Sequence, residues 1–509
     1  MEWAKHGPIL SEWCRAGATM AAHPTPWGCA MADEPPLSRL EPLPSEQAIP
    51  ARPVRPLAEL LILAAPTVAQ MISYSLMQYT DTAMLSRVGD LDALAAANAG
   101  GLCFALTSLG FGTCLLVNTL VSQSYGAKRF ERCGRWLWQG IWFGLLAGLL
   151  FLPLAPLGGP IMNVLGHEPA LVALEATYVW IVMPFTVVRM LGVAAGQFLL
   201  AINRPNLTLV AALVGVGANI VLNYLLIFGN LGFPELGLAG AAWGTVLGGI
   251  AETAVLFIFA FAPSRRETYG TTQWRFHGRD FVKLLRLGLP SGTQMTADVT
   301  AWTLFSFGVM ATFGTPTMTA NAYMFRYAVI SFMPAFGISA AVTALVGRYL
   351  GAGDPDTAEK RAHLGFFVVA GYMLFCGVIY FTFGGWLIGV FTDDPDILKM
   401  GTTLMVILAI YQFFDAMYIN YLGALRGAGD TFLPSLVTIA LCWGFMLGLG
   451  WLVAIYLPRF GYLGPWTVTV VYGVLLGGFM FLRFRTGAWR RLPRESDDGH
   501  GFEAVLEKA

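Results

Sequence analysis

Between Leu57 and Leu482 the chain reads as a succession of long apolar runs parted by short polar segments. The runs cover about 57–85, 93–123, 136–163, 172–201, 207–229, 237–262, 284–313, 318–347, 362–391, 400–425, 432–457 and 463–482. At 1.5 Å of rise per residue, each can cross a hydrocarbon core of about 30 Å as a helix. The pattern therefore predicts an all-α polytopic membrane protein with about 12 transmembrane helices.

The runs fall into two related sets. Pro66, Gln70 and Met71 recur as Pro290, Gln294 and Met295, and Asn98 recurs as Asn321. Phe111-Gly112 recurs as Phe336-Gly337, Leu120-Val121 as Leu345-Val346, and Gly126-Ala127 as Gly351-Ala352. A near-constant offset of 223 to 225 residues over such a stretch is the mark of an internal repeat. Six spans separate the copies, so both halves run in the same direction. This is a parallel repeat about an axis along the membrane normal, suited to rocking two six-helix lobes around a central site. The expected division is a first lobe over 56–262, a polar and basic linker over 263–283, and a second lobe over 284–484.

Residues 1–55 are rich in Pro, Ala and Glu and carry no apolar run of signal-peptide kind. They read as a disordered cytoplasmic tail, or as translation upstream of a later start at Met20 or Met31. Residues 485–509 read as a second tail. Lys and Arg decide the orientation: loops and tail on the side of the chain ends hold 20 of them, from Lys128 and Arg129 to Arg494. The opposite loops hold only Arg87, Lys399 and Arg459. The positive-inside rule then puts both termini in the cytoplasm, in a cell (inner or plasma) membrane.

Composition narrows the classes further. Of 509 residues 56% are hydrophobic and 12% charged, at a mean hydropathy of +0.62; a soluble domain carries roughly 25% charge. A net charge of zero gives no case for binding nucleic acid. The seven cysteines lack metal-ligand spacing and read as small hydrophobes. The six histidines lie in tails, loops or span ends, and neither HExxH nor GxSxG occurs, so an enzyme is not expected. No cofactor is implied.

Ionisable groups inside the spans carry the candidate chemistry, because a carboxylate at mid-bilayer costs about 2.5–3.5 kcal/mol and should face the bundle interior. Asp81 closes a stripe of Thr67, Gln70, Tyr74 and Gln78 at helical spacing, in a span that Pro66 is placed to kink. The stripe reads as a cavity wall, or Asp81 caps a loop beside Arg87. Asn219 and Asn223, four apart, either donate to Asp81 or bridge helices. Asp298 lies one turn beyond Gln294. Tyr411 and Asp415 share one helix face. Two carboxylates and a phenol offer hard oxygen ligands to a small monovalent cation such as Na⁺; alternatively the two acids raise each other's pKa and bind a proton. Arg189, Glu252 and Arg326 also lie in apolar spans, as a buried pair or as transport chemistry.

Three segments resemble the multidrug and toxic compound extrusion (MATE) family: Asp81-Thr82-Ala83-Met84, Gln123-Ser124-Tyr125-Gly126-Ala127, and Leu425-Arg426-Gly427-Ala428-Gly429-Asp430-Thr431. So does Met333-Pro334-Ala335-Phe336-Gly337 leading to Leu345-Val346-Gly347-Arg348-Tyr349-Leu350-Gly351-Ala352-Gly353. The resemblance covers about 57–485 and points to the NorM branch, on Asn219, Asn223 and the Pro234-Glu235-Leu236-Gly237 segment. It implies a V-shaped pair of lobes that open alternately inward and outward, exchanging Na⁺ or H⁺ for organic cations and other xenobiotics. By motif, Asp81 corresponds to the first-lobe acid, and Tyr411 and Asp415 to the second-lobe cation ligands. Asp298 stands where that branch usually has Glu, one methylene longer. The expected partners are small-molecule organic cations or drugs and the lipid bilayer, for a monomer. The rival reading is a flippase for lipid-linked oligosaccharide or polysaccharide, which would want a strongly basic centre.

Overall fold

The computed structural model describes residues 55–492, and the tails expected over 1–54 and 493–509 lie outside the described residues. Among the described residues the regular structure is helical throughout. Twelve membrane helices follow in order: α1 (Pro56–Leu85), α2 (Asp90–Gly126), α3 (Phe130–Val164), α4 (Pro169–Ala201), α5 (Pro205–Phe228), α6 (Leu238–Ala260), α7 (Gly278–Leu304), α8 (Thr315–Gly351), α9 (Pro355–Gly389), α10 (Pro395–Ala428), α11 (Phe432–Tyr456) and α12 (Leu463–Arg485).

Eleven of these helices are long and apolar enough to cross a membrane on composition alone. The exception is α7. It runs on through a π-helical turn, Phe305–Val309, and a short 3-10 turn to Phe313, so its length suffices. Its middle, Ser291 to Asp298, is polar and interrupts the apolar run. Such a helix is stable in a membrane only when neighbours satisfy its side chains. The lipid-facing surface is plain on α9, where Phe367 and Trp386 are each 70% exposed and Phe375, Val378 and Phe381 lie bare on the same helix.

The linker forms a short helix, Pro263–Tyr269, before an irregular stretch leads into α7. Two hydrophobic cores follow the two halves. One is built from Leu85 to Leu284, the other mainly from Ala301 to Trp489. The first helix of each half crosses over: Leu60, Leu63 and Ala64 of α1 join the second core, and Leu284 of α7 joins the first. The halves are thus joined through their first helices.

Hydrogen bonds between the halves gather toward the end of the bundle where the described chain begins and finishes. Thr67 Oγ1 donates to the Gly337 carbonyl (2.9 Å), Thr119 Oγ1 to that of Arg426 (2.9 Å) and Gln123 Nε2 to that of Gly427 (3.0 Å). The space left at this junction, between Asn118, Gln197, Thr343 and Arg426, is about 10 Å³, room for one water. The contact repeats itself. A Cβ on Gly126 would collide with the Arg348 carbonyl group, and one on Gly351 with that of Gln123. A Cβ on Gly112 would meet the Ser291 oxygen at 2.9 Å, and one on Gly337 the Thr67 oxygen at 3.1 Å. Each pair is the other with its members exchanged at the repeat offset, as across a two-fold axis. At Gly112, Gly126 and Gly351 the backbones approach closer than a side chain permits without a shift, and at Gly337 the fit is tight.

At the same end Glu59, in the first turn of α1, receives three donors from the second half. Arg348 and Arg361 form ion pairs with it, the latter from Nε at 2.7 Å, and the Tyr349 hydroxyl donates at 2.8 Å. The side chains of Arg348, Arg361 and Glu59 are only 8, 12 and 15% exposed.

Candidate transport sites in the two lobes

In the first lobe Asp81 lies in the last turns of α1. Its Oδ1 accepts from Asn223 Nδ2 of α5 at 2.6 Å, and the same amide lies 3.4 Å from Asn219 Oδ1. Both asparagines are fully buried. Their spacing of four residues stacks them on one face of α5, and Gly244 of α6 leaves the room that Asn223 occupies.

The polar stripe of α1 does not form one wall. Thr67 turns to the second half, as above, and Gln78 is exposed. Gln70 Nε2 donates to the Tyr74 hydroxyl at 2.9 Å, and Tyr74 donates in turn to Glu252 Oε1 of α6. Glu252 is therefore tied to a phenol and not to a cation. Arg189 of α4 and Arg326 of α8 are exposed, over the rings of Phe104 and Phe391 respectively, each 5.9 Å from the centroid. For these two arginines a buried ion pair does not form.

In the second lobe Tyr418 of α10 donates to Asp298 Oδ2 of α7 at 2.8 Å and accepts from Gln294 Nε2 at 3.0 Å. Gln294 Oε1 accepts from Ser435 of α11 at 3.0 Å, so this buried amide is held at both ends. Trp443 of α11 fastens the same turn by donating to the Ala297 carbonyl at 3.1 Å. The remaining oxygen of Asp298, Oδ1, is buried without a hydrogen-bond partner. Asp415 and Tyr411 of α10 lie within electrostatic reach of Asp298. The ring of Trp302 covers Tyr411 edge-on, with centroids 6.2 Å apart. A buried carboxylate with a second acid and two phenols near it can take a small cation or a proton.

The two lobes share a relay that the sequence does not advertise. Gln70 and Gln294 are repeat counterparts, and each donates to a tyrosine that donates to a carboxylate. The tyrosines come from different places, Tyr74 from the glutamine's own helix and Tyr418 from α10. Tyr418 was within reach of sequence reasoning, since Tyr411, Asp415 and Tyr418 share one helix face. Glu252 meets Tyr74 across 178 residues, a pairing without local signal. Glu175, fully buried in α4, was also missed; it accepts from Asn98 at 2.8 Å and from His167 Nδ1 at 2.9 Å.

Two parallel six-helix halves, with a buried acid site in each and a shared contact toward one end, define a two-lobed membrane transporter. The chain belongs to the MatE family, whose model matches residues 66–225 and 295–452, a stretch of each half. It is 30% identical over 436 residues to a protein named "Probable multidrug resistance protein NorM" from Pseudomonas syringae pv. tomato, covering 82% of this chain and 91% of the relative. It is 29% identical over 420 residues to one of the same name from Mesorhizobium japonicum, covering 80% and 88%. Among solved structures it is similar to the outward-facing conformation of a multidrug resistance MATE family transporter of the MOP superfamily. The TM-score is 0.79 at 18% identity, over 86% of this chain and 98% of that one.

Proposed function

We propose that the protein is a secondary antiporter that exports organic cations and other xenobiotics in exchange for Na⁺ or H⁺. The observation that carries this reading is the match, at up to 30% identity, to multidrug resistance proteins over about nine tenths of their length. Asp298, Asp415, Tyr411 and Tyr418 form the coupling-ion site in the second lobe. Asp81, with Asn219 and Asn223, forms a proton or substrate site in the first. The excess of Lys and Arg on the side of the chain ends supports cytoplasmic termini. In that orientation the junction of the halves seals the cytoplasmic end, and the Glu59 cluster is its latch. Ion and drug exchange because each binds the inward and outward arrangements with different affinity. Aromatic faces such as Trp302 suit lipophilic cations through cation–π contact.

The test is transport of a fluorescent organic cation in proteoliposomes under imposed Na⁺ or H⁺ gradients. One of the two gradients drives the parent, and Asp298→Asn, Asp415→Asn and Asp81→Asn each lose at least tenfold in rate. If neither gradient moves the probe, the antiporter reading falls. Three variants as fast as the parent would remove the site assignment alone.

A further inference from the structure

Four arginines gather where α12 ends: Arg483, Arg485, Arg490 and Arg491. Two of them are paired. Arg483 Nε meets Asp430 Oδ2 at 2.8 Å, and Arg490 meets Asp356 (Nη1 to Oδ1, 2.9 Å) and Glu359, both in the opening turns of α9. Arg485 and Arg491 are exposed and, among the described residues, take part in no hydrogen bond and no ion pair.

The backbone between these two free guanidiniums is fixed. Gly487 takes a left-handed φ of 68°, which turns the chain into the short 3-10 turn Ala488–Arg491. Trp489 of that turn is buried; its ring stacks on Phe484 with centroids 4.9 Å apart, and its indole N–H donates to the Phe484 carbonyl at 2.7 Å. Arg490 ties the same turn to α9. The turn, the end of α12 and α9 enclose a pocket of about 380 Å³, whose lining includes Glu359, Phe484, Arg485, Gly487, Arg490 and Arg491. Where the junction of the halves has room for one water, this pocket has room for a molecule.

Its charge is one-sided. Glu359 is neutralised by Arg490 through Oε2, while its Oε1 faces His363 at 3.6 Å. The unpaired Arg485 and Arg491 therefore leave the pocket cationic. A guanidinium matches a phosphate with two parallel hydrogen bonds. The place of the pocket selects among phosphates. Val471, Leu475, Leu482 and Arg485 fall in one sector of α12 at 100° per residue, and all four are exposed. Arg485 thus heads a lipid-facing stripe, and basic pockets at such helix ends suit anionic headgroups.

We propose that this pocket binds the phosphate of an anionic phospholipid, with Arg485 and Arg491 as its two free arms and the acyl chains lying along the stripe of α12. Arg490 holds the wall on which Arg491 is carried. An arginine that only reaches for the membrane surface needs no enclosed space; two unpaired ones flanking a pocket beside lipid have a ligand. The site is independent of the antiporter reading, since it lies outside both acid sites.

The experiment is native mass spectrometry of the full chain released from neutral detergent, with dioctanoyl phosphatidylglycerol as the probe and dioctanoyl phosphatidylcholine as the zwitterionic control. The parent takes up the glycerol lipid saturably, about tenfold or more tighter than the choline lipid. The double variant Arg485→Gln/Arg491→Gln loses about tenfold in that affinity. It folds, because neither side chain bonds to the rest of the protein. Arg266→Gln/Arg279→Gln removes two exposed charges on the linker helix and the first turn of α7 and stays within about twofold of the parent. Equal losses in the two double variants would reduce the effect to general basicity and overturn the proposal. So would equal binding of the two lipids, or a parental affinity in Arg485→Gln/Arg491→Gln. Inorganic phosphate displacing the glycerol lipid at a comparable concentration would make this a site for a free anion, and the lipid assignment would fall.

Discussion

Replacing Glu59 by glutamine removes the carboxylate that two guanidiniums and a phenol of the second half share. The groups are 8–15% exposed, so the loss is that of a nearly buried pair and not of a surface bridge. Breaking a buried pair by neutralising one partner costs about 3–5 kcal/mol, because the other charges stay behind uncompensated. At the mouth of the bundle the lower figure is the apt one. When the halves part at this end, all four groups regain water, so the cost falls only on the arrangement described here. About 3 kcal/mol shifts a two-state equilibrium by about two orders of magnitude. The readout is the distance between spin labels at Ala127→Cys and Ala352→Cys, repeat counterparts at the turns flanking the junction. In the parent a short distance dominates; in Glu59→Gln a longer one becomes a major population. Glu59→Asp, which keeps the charge, stays near the parent. An unchanged distance distribution in a well-folded Glu59→Gln would refute the latch.

Other perturbations follow from the same contacts. Tyr418→Phe takes from Asp298 a hydrogen bond to a charged group, which is about 1.5–3 kcal/mol; gradient-driven transport falls about tenfold or more, and a parental rate would show that Tyr418 is only packing. Gly126→Val and Gly351→Val, facing exchanged partners, both lengthen the label distance, and to within a few-fold the same extent; strongly unequal responses would argue against the two-fold contact. Asp354 caps α9 by accepting from the Thr357 amide at 3.0 Å, and the Thr357 hydroxyl together with that amide holds its carboxyl below the usual carboxylate range. With a depressed folded value, its contribution is present above the ordinary Asp range and lost as pH falls through the folded value. Asp354→Ala therefore costs about 1 kcal/mol near neutrality and little in strong acid, to be read from thermal unfolding in detergent at both pH values.

The spans were legible because burial in lipid imposes apolarity over some twenty consecutive residues, a signal too long to be mimicked locally. The repeat was legible because Gly112, Gly126, Gly337 and Gly351 sit at close backbone contacts, where a side chain would force the neighbouring backbone to shift. Side-chain partners follow another logic. Asn223 and Asp81 suggested each other through type and spacing, whereas Glu252 and Tyr74 meet only once α1 and α6 are packed. Helix α7 marks the boundary between the two kinds of information. Its polar middle weakens the hydropathy signal for the same reason that it carries Gln294 and Asp298. Glu59 opens α1 as an ordinary first-turn acid, and nothing in its neighbourhood along the chain announces partners some 290 residues away.

The exchanged glycine contacts have a consequence for how such a chain is assembled. A contact in which each half offers the other the same surface would also join two separate half-length chains. Six is an even number, so a second copy fused behind the first enters the bilayer with the first copy's orientation, and its contact face arrives in the same leaflet. Fusion then turns a concentration-dependent encounter into an intramolecular one without altering a residue at the seam. A unit of five or seven helices would have delivered that face to the wrong side of the membrane.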